Sequence, residues 1–183
     1  MGFIRSWISI RRSKIAIIPQ EIHIFNGTIL ENLLSEISEN KIRELGALVS
    51  AYGLNDFLNS FPSGLMTLVG EEGINLSGGQ KQMLAFIRVL LNRPDILIID
   101  EGTSNMNRGT ESMIMNLIKR LKPGMGILMI SHRINMIKNL SDYIYFIDNT
   151  GISDKGSHDE LLAGENLYKR FWEDFYKLFQ SVR

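Results

Sequence analysis

A chain of 183 residues that is 44% hydrophobic and 22% charged can close one sizeable core, and its composition excludes a disordered polypeptide. Twenty Lys and Arg balance twenty Asp and Glu, so no charge excess exists to hold a nucleic acid or an anionic membrane surface. With no Cys there is no disulfide framework, thiolate metal centre or cysteine nucleophile, and no apolar run is long enough to span a membrane.

The first twelve residues carry Arg5, Arg11 and Arg12 but only a short apolar stretch, which argues against a signal peptide. Ile15-Ala-Ile-Ile-Pro19 reads as a buried strand that proline terminates, with Gln20 at its exit. From Thr28 to Leu58 the spacing predicts helices, with Tyr52-Gly53 as a stop. A Pro62-Ser63-Gly64 turn leads into a glycine-punctuated loop from Val69 to Gly79, and Lys81 to Leu91 follows as a helix. Ile96-Leu-Ile-Ile99 is a continuous apolar run of the sort found in parallel sheets covered on both faces, and it delivers Asp100 and Glu101 at its carboxyl end. A helix over Thr110 to Leu121, a strand over Ile127 to Ile130 and a third buried strand over Tyr143 to Ile147 complete an alternation that predicts an α/β fold. In the tail, Leu167, Phe171, Phe175, Leu178 and Phe179 fall on one helical face expected to pack against the domain.

Polar residues follow the strand ends: Gln20, then Asp100 and Glu101, then Ser131 and His132. Ligands of open α/β sheets bind at that edge, so the chemistry is expected there. Asp100 can hold Mg²⁺, a hard cation that takes carboxylate and phosphate oxygens, while Glu101 can orient or deprotonate a water. Leu76-Ser-Gly-Gly-Gln80 places a hydroxyl and two glycines where the N–H groups of a helix begin, a site suited to an anion. Taken singly, each feature has a plainer explanation: a solvated strand end, a core-edge histidine, a glycine-rich helix start.

Together they resemble the ABC ATPases. Leu76-Ser77-Gly78-Gly79-Gln80 looks like the family's signature motif, Gln20 like the Q-loop glutamine, Ile96 to Asp100 like Walker B, Glu101 like the catalytic glutamate, Ser104 to Asn107 like the D-loop and His132 like the switch histidine. The resemblance implies ATP and Mg²⁺ as cofactors, with Gln20, Glu101 and His132 catalytic and Asp100 and Gln20 at the metal. Leu76 to Gln80 and Asn107 would contact nucleotide across a dimer of such domains. It implies a P-loop NTPase-like parallel sheet flanked by helices. The stretches would be a Q-loop region (15–27), a helical subdomain with the signature helix (28–92), a core with Walker B, D-loop and switch histidine (93–162) and a C-terminal helix (163–183). Phe25 to Asn32, Val69 to Gly73 and Gly156 to Leu162 resemble segments of exporters. They imply coupling of ATP hydrolysis to transport of a peptide, lipid or drug, at the cytoplasmic face of a membrane, through a transmembrane domain outside this chain.

A P-loop needs G-x-x-x-x-G-K-[ST], whose backbone wraps the phosphates, and no such stretch occurs in these residues. In the family it lies upstream of the position that Ile15 occupies, so Met1 is expected to fall inside the domain, with the first strands and the Walker A segment supplied from elsewhere. The isolated chain is then expected to be inactive and to expose an uncovered sheet edge. The alternative is a non-catalytic module whose signature motif caps nucleotide in a partner subunit. Asn107 where Asp is usual, Gly102 where Ala is common, and Glu72 and Met83 where basic residues are usual depart from the family pattern.

Overall fold

In the computed structural model, which describes residues 14–71, 73–101, 108–149 and 151–180, the chain divides into two compact units, Met1–Ile130 and Ser131–Arg183. In the first, β1 (Ile15–Ile18) ends at Pro19, which has no N–H to continue a ladder. A two-residue strand β2 (Gly27–Thr28) then runs straight into helix α1 (Ile29–Leu33), capped reciprocally by Thr28 and Glu31. Helix α2 (Glu39–Tyr52) starts at the Ser38 cap and stops, as expected, at Gly53, whose φ of 68° no β-branched residue would accept. Helix α3 (Asn55–Asn59) follows, and β3 (Leu68–Val69) returns to pair antiparallel with β2.

Helix α4 (Gly78–Leu90) buries Met83, Leu84, Phe86 and Ile87 completely, each contributing about 1.5–3 kcal/mol of transfer free energy. It lies against β1 and against α5 (Arg108–Leu121). Strands β4 (Ile96–Asp100) and β5 (Gly126–Ile130) complete a parallel sheet of order β1-β4-β5, with Ile18 opposite Ile99 and Asp100 opposite Ile130. The mixed α/β architecture with a helix-flanked parallel sheet is as expected.

Coverage of both sheet faces is not. Ile18, Leu97 and Ile99 are fully buried, whereas Ile15, Ile17, Leu128 and Ile130, on the opposite face by strand alternation, are exposed, Ile17 to 58%. The helices α4 and α5 supply apolar residues to one side only.

The second unit holds α6 (Ile134–Leu140), β6 (Ile144–Asp148), β7 (Gly151–Gly156), α7 (His158–Ala163) and α8 (Leu167–Gln180). The run from Tyr143 to Ile147 is not a buried parallel strand. It forms an antiparallel hairpin with β7, burying Ile144 while Tyr143, Tyr145 and Ile147 stay exposed. Ile144, Leu161 and Tyr168 form its core, with Ile137, Phe146 and Leu162 packed around them. The contact face of α8 is rotated from the expected one. Tyr168 is its buried anchor and donates its N–H to Asp154, Phe171 and Trp172 make ring contacts with Phe146 and His158, and Leu167 is exposed. The side chains of Leu178 and Phe179 lie outside the described residues.

Candidate functional site

Strand register builds the centre of the site. Because Ile18 pairs with Ile99, the residues two positions beyond them, Gln20 and Glu101, leave the sheet side by side. The Gln20 Nε2 donates to Glu101 Oε2 at 3.1 Å, and among the described residues the Gln20 Oε1 is uncommitted. Glu101 adopts a φ of 42°, a left-handed conformation that costs a non-glycine residue about 1–2 kcal/mol. Its N–H donates to the Ile130 carbonyl at 2.9 Å, so β5 holds the strained residue in place. Asp100, the last residue of β4, is half-buried beside it. The Asp100 carboxylate and the Gln20 amide oxygen are hard oxygens of the kind Mg²⁺ takes alongside phosphate oxygens.

The second element is the start of α4. Ser77 Oγ accepts the Gln80 N–H at 3.2 Å and Gln80 Oε1 accepts the Ser77 N–H at 2.8 Å, a reciprocal cap that fixes both side chains. The first turn contains no acidic residue, so the positive end of the helix dipole is unneutralised by its own side chains. Leu76 is buried and Gly78 exposed. Gly79 is buried for a reason the sequence did not supply: a Cβ there would meet Thr110 Cγ2 at 2.6 Å and Thr110 Cβ at 2.9 Å. Its missing side chain lets α4 and α5 approach.

His132 stands two residues past β5, exposed, at the start of the second unit, and is described with that unit alone. Asn107 and the rest of the expected D-loop from Ser104 lie outside the described residues, as do Gly102 and Glu72.

The described geometry thus pairs Gln20 with Glu101, sets Asp100 next to them and presents an uncapped-by-acid helix start at Ser77-Gly-Gly. The model of the family described as ABC transporter matches residues 3–104. The chain belongs to the ABC transporter family. It is 36% identical over 161 residues to the ABC transporter aclQ of Aspergillus oryzae, covering 88% of this chain and 20% of that protein. It is also 36% identical over 163 residues to the uncharacterized ABC transporter ATP-binding protein YwjA of Bacillus subtilis, covering 89% of this chain and 28% of that one. Among solved structures, a bacterial Atm1-family ABC exporter with ATP bound matches with a TM-score of 0.77 and 33% identity, over 90% of this chain and 29% of that one. The chain therefore spans less than a third of the length of these relatives.

Within this ABC transporter fold, three groups near the site escaped the sequence reading. Arg88 reaches from α4 to the stretch after Gln20, Asn32 is buried in that stretch, and Asn26 Oδ1 accepts the Glu71 N–H at 2.8 Å. Gly70, at φ 98°, closes over Asn26, whose Oδ1 would lie 2.2 Å from a Cβ at that position. A signal for Arg88 existed, since it is the one charge in the apolar run from Met83 to Leu91.

Proposed function

We propose that the chain is part of the nucleotide-binding domain of an ABC exporter, which couples ATP hydrolysis to transmembrane transport of a peptide, lipid or drug. The observation that carries this reading is the Gln20–Glu101 pair at the ends of two hydrogen-bonded parallel strands, held by a strained backbone next to Asp100. Asp100 and the Gln20 amide oxygen would hold Mg²⁺. When bound, the ion supplies charge neutralisation to phosphate oxygens. Glu101, whose carboxylate is tethered by Gln20, orients the attacking water and takes its proton. His132 would donate a hydrogen bond to the terminal phosphate.

Leu76 to Gln80 and Asn107 would face the nucleotide of a second such domain. The Ser77-capped helix start supports this for the signature residues, since its dipole is unopposed by acidic side chains. The phosphate loop is supplied by sequence outside these residues, so this chain alone does not turn ATP over. Attachment to the cytoplasmic face of a membrane comes through the transmembrane domain of the exporter; no described helix is long and apolar enough to cross a membrane.

The test is Glu101→Gln in the full transporter. Hydrolysis falls by about a hundredfold or more while MgATP still binds, because the amide keeps the shape but cannot accept the proton. Unchanged turnover would remove Glu101 from the chemistry. It would also favour the second role, in which the signature surface caps a nucleotide that another subunit hydrolyses.

A further inference from the structure

Arg88 is an unusual occupant of its helix. α4 buries Met83 to Ile87 and Leu90, yet Arg88 is only half-buried and carries a full charge into that packing. Burial depresses its pKa below the ordinary guanidinium value, although the group stays charged. Among the described residues no carboxylate answers the charge. The guanidinium instead donates Nη1 to the His23 carbonyl at 2.9 Å, Nη2 to Asn32 Oδ1 at 2.8 Å and Nε to the Asn32 carbonyl, and stands over the Phe25 ring at 5.9 Å.

All four contacts fall on one stretch, His23 to Asn32, which begins three residues after Gln20. Asn32, 5% exposed, closes that stretch on itself. Its Nδ2 donates to the Phe25 and Thr28 carbonyls at 2.9 and 3.0 Å, and its Oδ1 accepts the Phe25 N–H at 2.9 Å. Asn26, between them, accepts from Glu71 in the loop after β3. The stretch is therefore a closed polar knot; beside the packing of α1 on α4, its polar link to that helix is a planar fork able to hold two separated oxygens at fixed angles.

We propose that Arg88 is a positioning residue that locks the signature helix to the segment following Gln20, so that Ser77 to Gly79 and the Gln20–Glu101 pair keep one register. Ser77 caps the same helix eleven residues earlier, about 16 Å along a rigid rod. A tilt of α4 at Arg88 therefore displaces the signature turn. Phe25, 69% exposed, is the outward face of the knot, so a body pressing on its ring presses on the guanidinium. The proposal rests on the nucleotide-site reading above.

The experiment measures kcat and KM for MgATP in the full transporter for wild type, Arg88→Lys and Arg88→Ala. Trinitrophenyl-ATP titration counts the nucleotide-competent sites in each preparation. Lys keeps the charge but cannot bridge His23 and Asn32 together. Both variants are expected to lose about ten- to a hundredfold in kcat per competent site, the scale of an ångström-level misplacement, with trinitrophenyl-ATP affinity within about twofold of wild type. If Arg88 served folding alone, the site count would drop while kcat per site held, and that result overturns the proposal. Should Arg88→Ala yield too few sites, Arg88→Lys decides by the same ratio. A wild-type transporter without MgATP hydrolysis would sink the functional reading and this inference with it, whereas active wild type with unchanged variants sinks the inference alone.

Discussion

Gly79→Ala separates two reasons for a glycine in the signature motif. An alanine keeps the backbone N–H that an anion would use, so a loss of function must come from its methyl group. That methyl would lie 2.6 Å from Thr110 Cγ2 and 2.9 Å from Thr110 Cβ. A rotamer change moves Cγ2 but not Cβ, so α4 and α5 must part by about half an ångström to reach ordinary carbon contact. Such overpacking costs about 1–3 kcal/mol, offset by up to about 1 kcal/mol of helix propensity, for a net loss near 1 kcal/mol. Thr110→Gly removes the obstacle, so the double variant Gly79→Ala/Thr110→Gly should show a favourable coupling of about 1–2 kcal/mol in a double-mutant cycle. Urea unfolding followed by circular dichroism supplies the stabilities, and MgATP hydrolysis by the full transporter should recover in the double variant in parallel. Additive stabilities would refute the packing argument. Restored stability with activity still lost would show that the methyl itself obstructs a ligand.

Two further predictions concern charge. Ser77→Ala removes the cap on α4 and should cost about 1 kcal/mol; Ser77→Asp should retain the cap and the stability yet suppress hydrolysis, because it sets a carboxylate where an anion is to bind. Equal activity in wild type and Ser77→Asp, read beside their melting curves, would mean that no anion approaches that helix start. In the second unit, burial first and then Lys138 lower the His158 pKa, against a smaller opposing pull from Asp159, and its Nδ1 meets the Tyr168 hydroxyl at 2.8 Å. The unfolded chain then binds the proton more readily than the folded one, so stability is full above the unfolded pKa, near 6.5, and is lost as pH falls towards the folded value. Replacing the imidazole in His158→Phe should flatten the pH dependence of unfolding below about pH 6.5, and an unaltered slope would assign it to other groups.

What was legible in the sequence was the sheet and the placement of polar residues at its strand ends. Ile15 to Ile18 and Ile96 to Ile99 are apolar runs closed by proline or by carboxylates, a pattern that gives both the strand and the site's edge. The faces were not legible. An isoleucine run reads identically whether one side or both are covered, and only the structure separates buried Ile18 from exposed Ile17. Tyr143 to Ile147 misled for the same reason: with apolar residues at every position the alternation of a hairpin strand is invisible, and its partner β7, Gly-Ile-Ser-Asp-Lys-Gly, is too polar to announce itself. In α8, Tyr168 and Trp172 outcompeted Leu167 as anchors: Tyr168 joins ring contacts to a hydrogen bond between its hydroxyl and His158, and Trp172 packs its ring on His158 beneath the Lys138 ammonium. The Arg88 knot depends on side chain to carbonyl bonds between positions 56 and 65 residues apart, which no local pattern encodes.

The backbone at Glu101 bears on which reading of the strand end is right. In a regular strand Asp100 and Glu101 would point to opposite faces, and the pair could not serve one ligand. The left-handed φ of Glu101 breaks that alternation one residue after the sheet ends, and its carboxylate reaches Gln20 on the neighbouring strand's exit. The conformation costs about 1–2 kcal/mol, and the Gln20 amide and the Ile130 carbonyl both hold the residue in it. A strained residue pinned at a strand end by the Ile130 carbonyl fits the placed carboxylate proposed for Glu101.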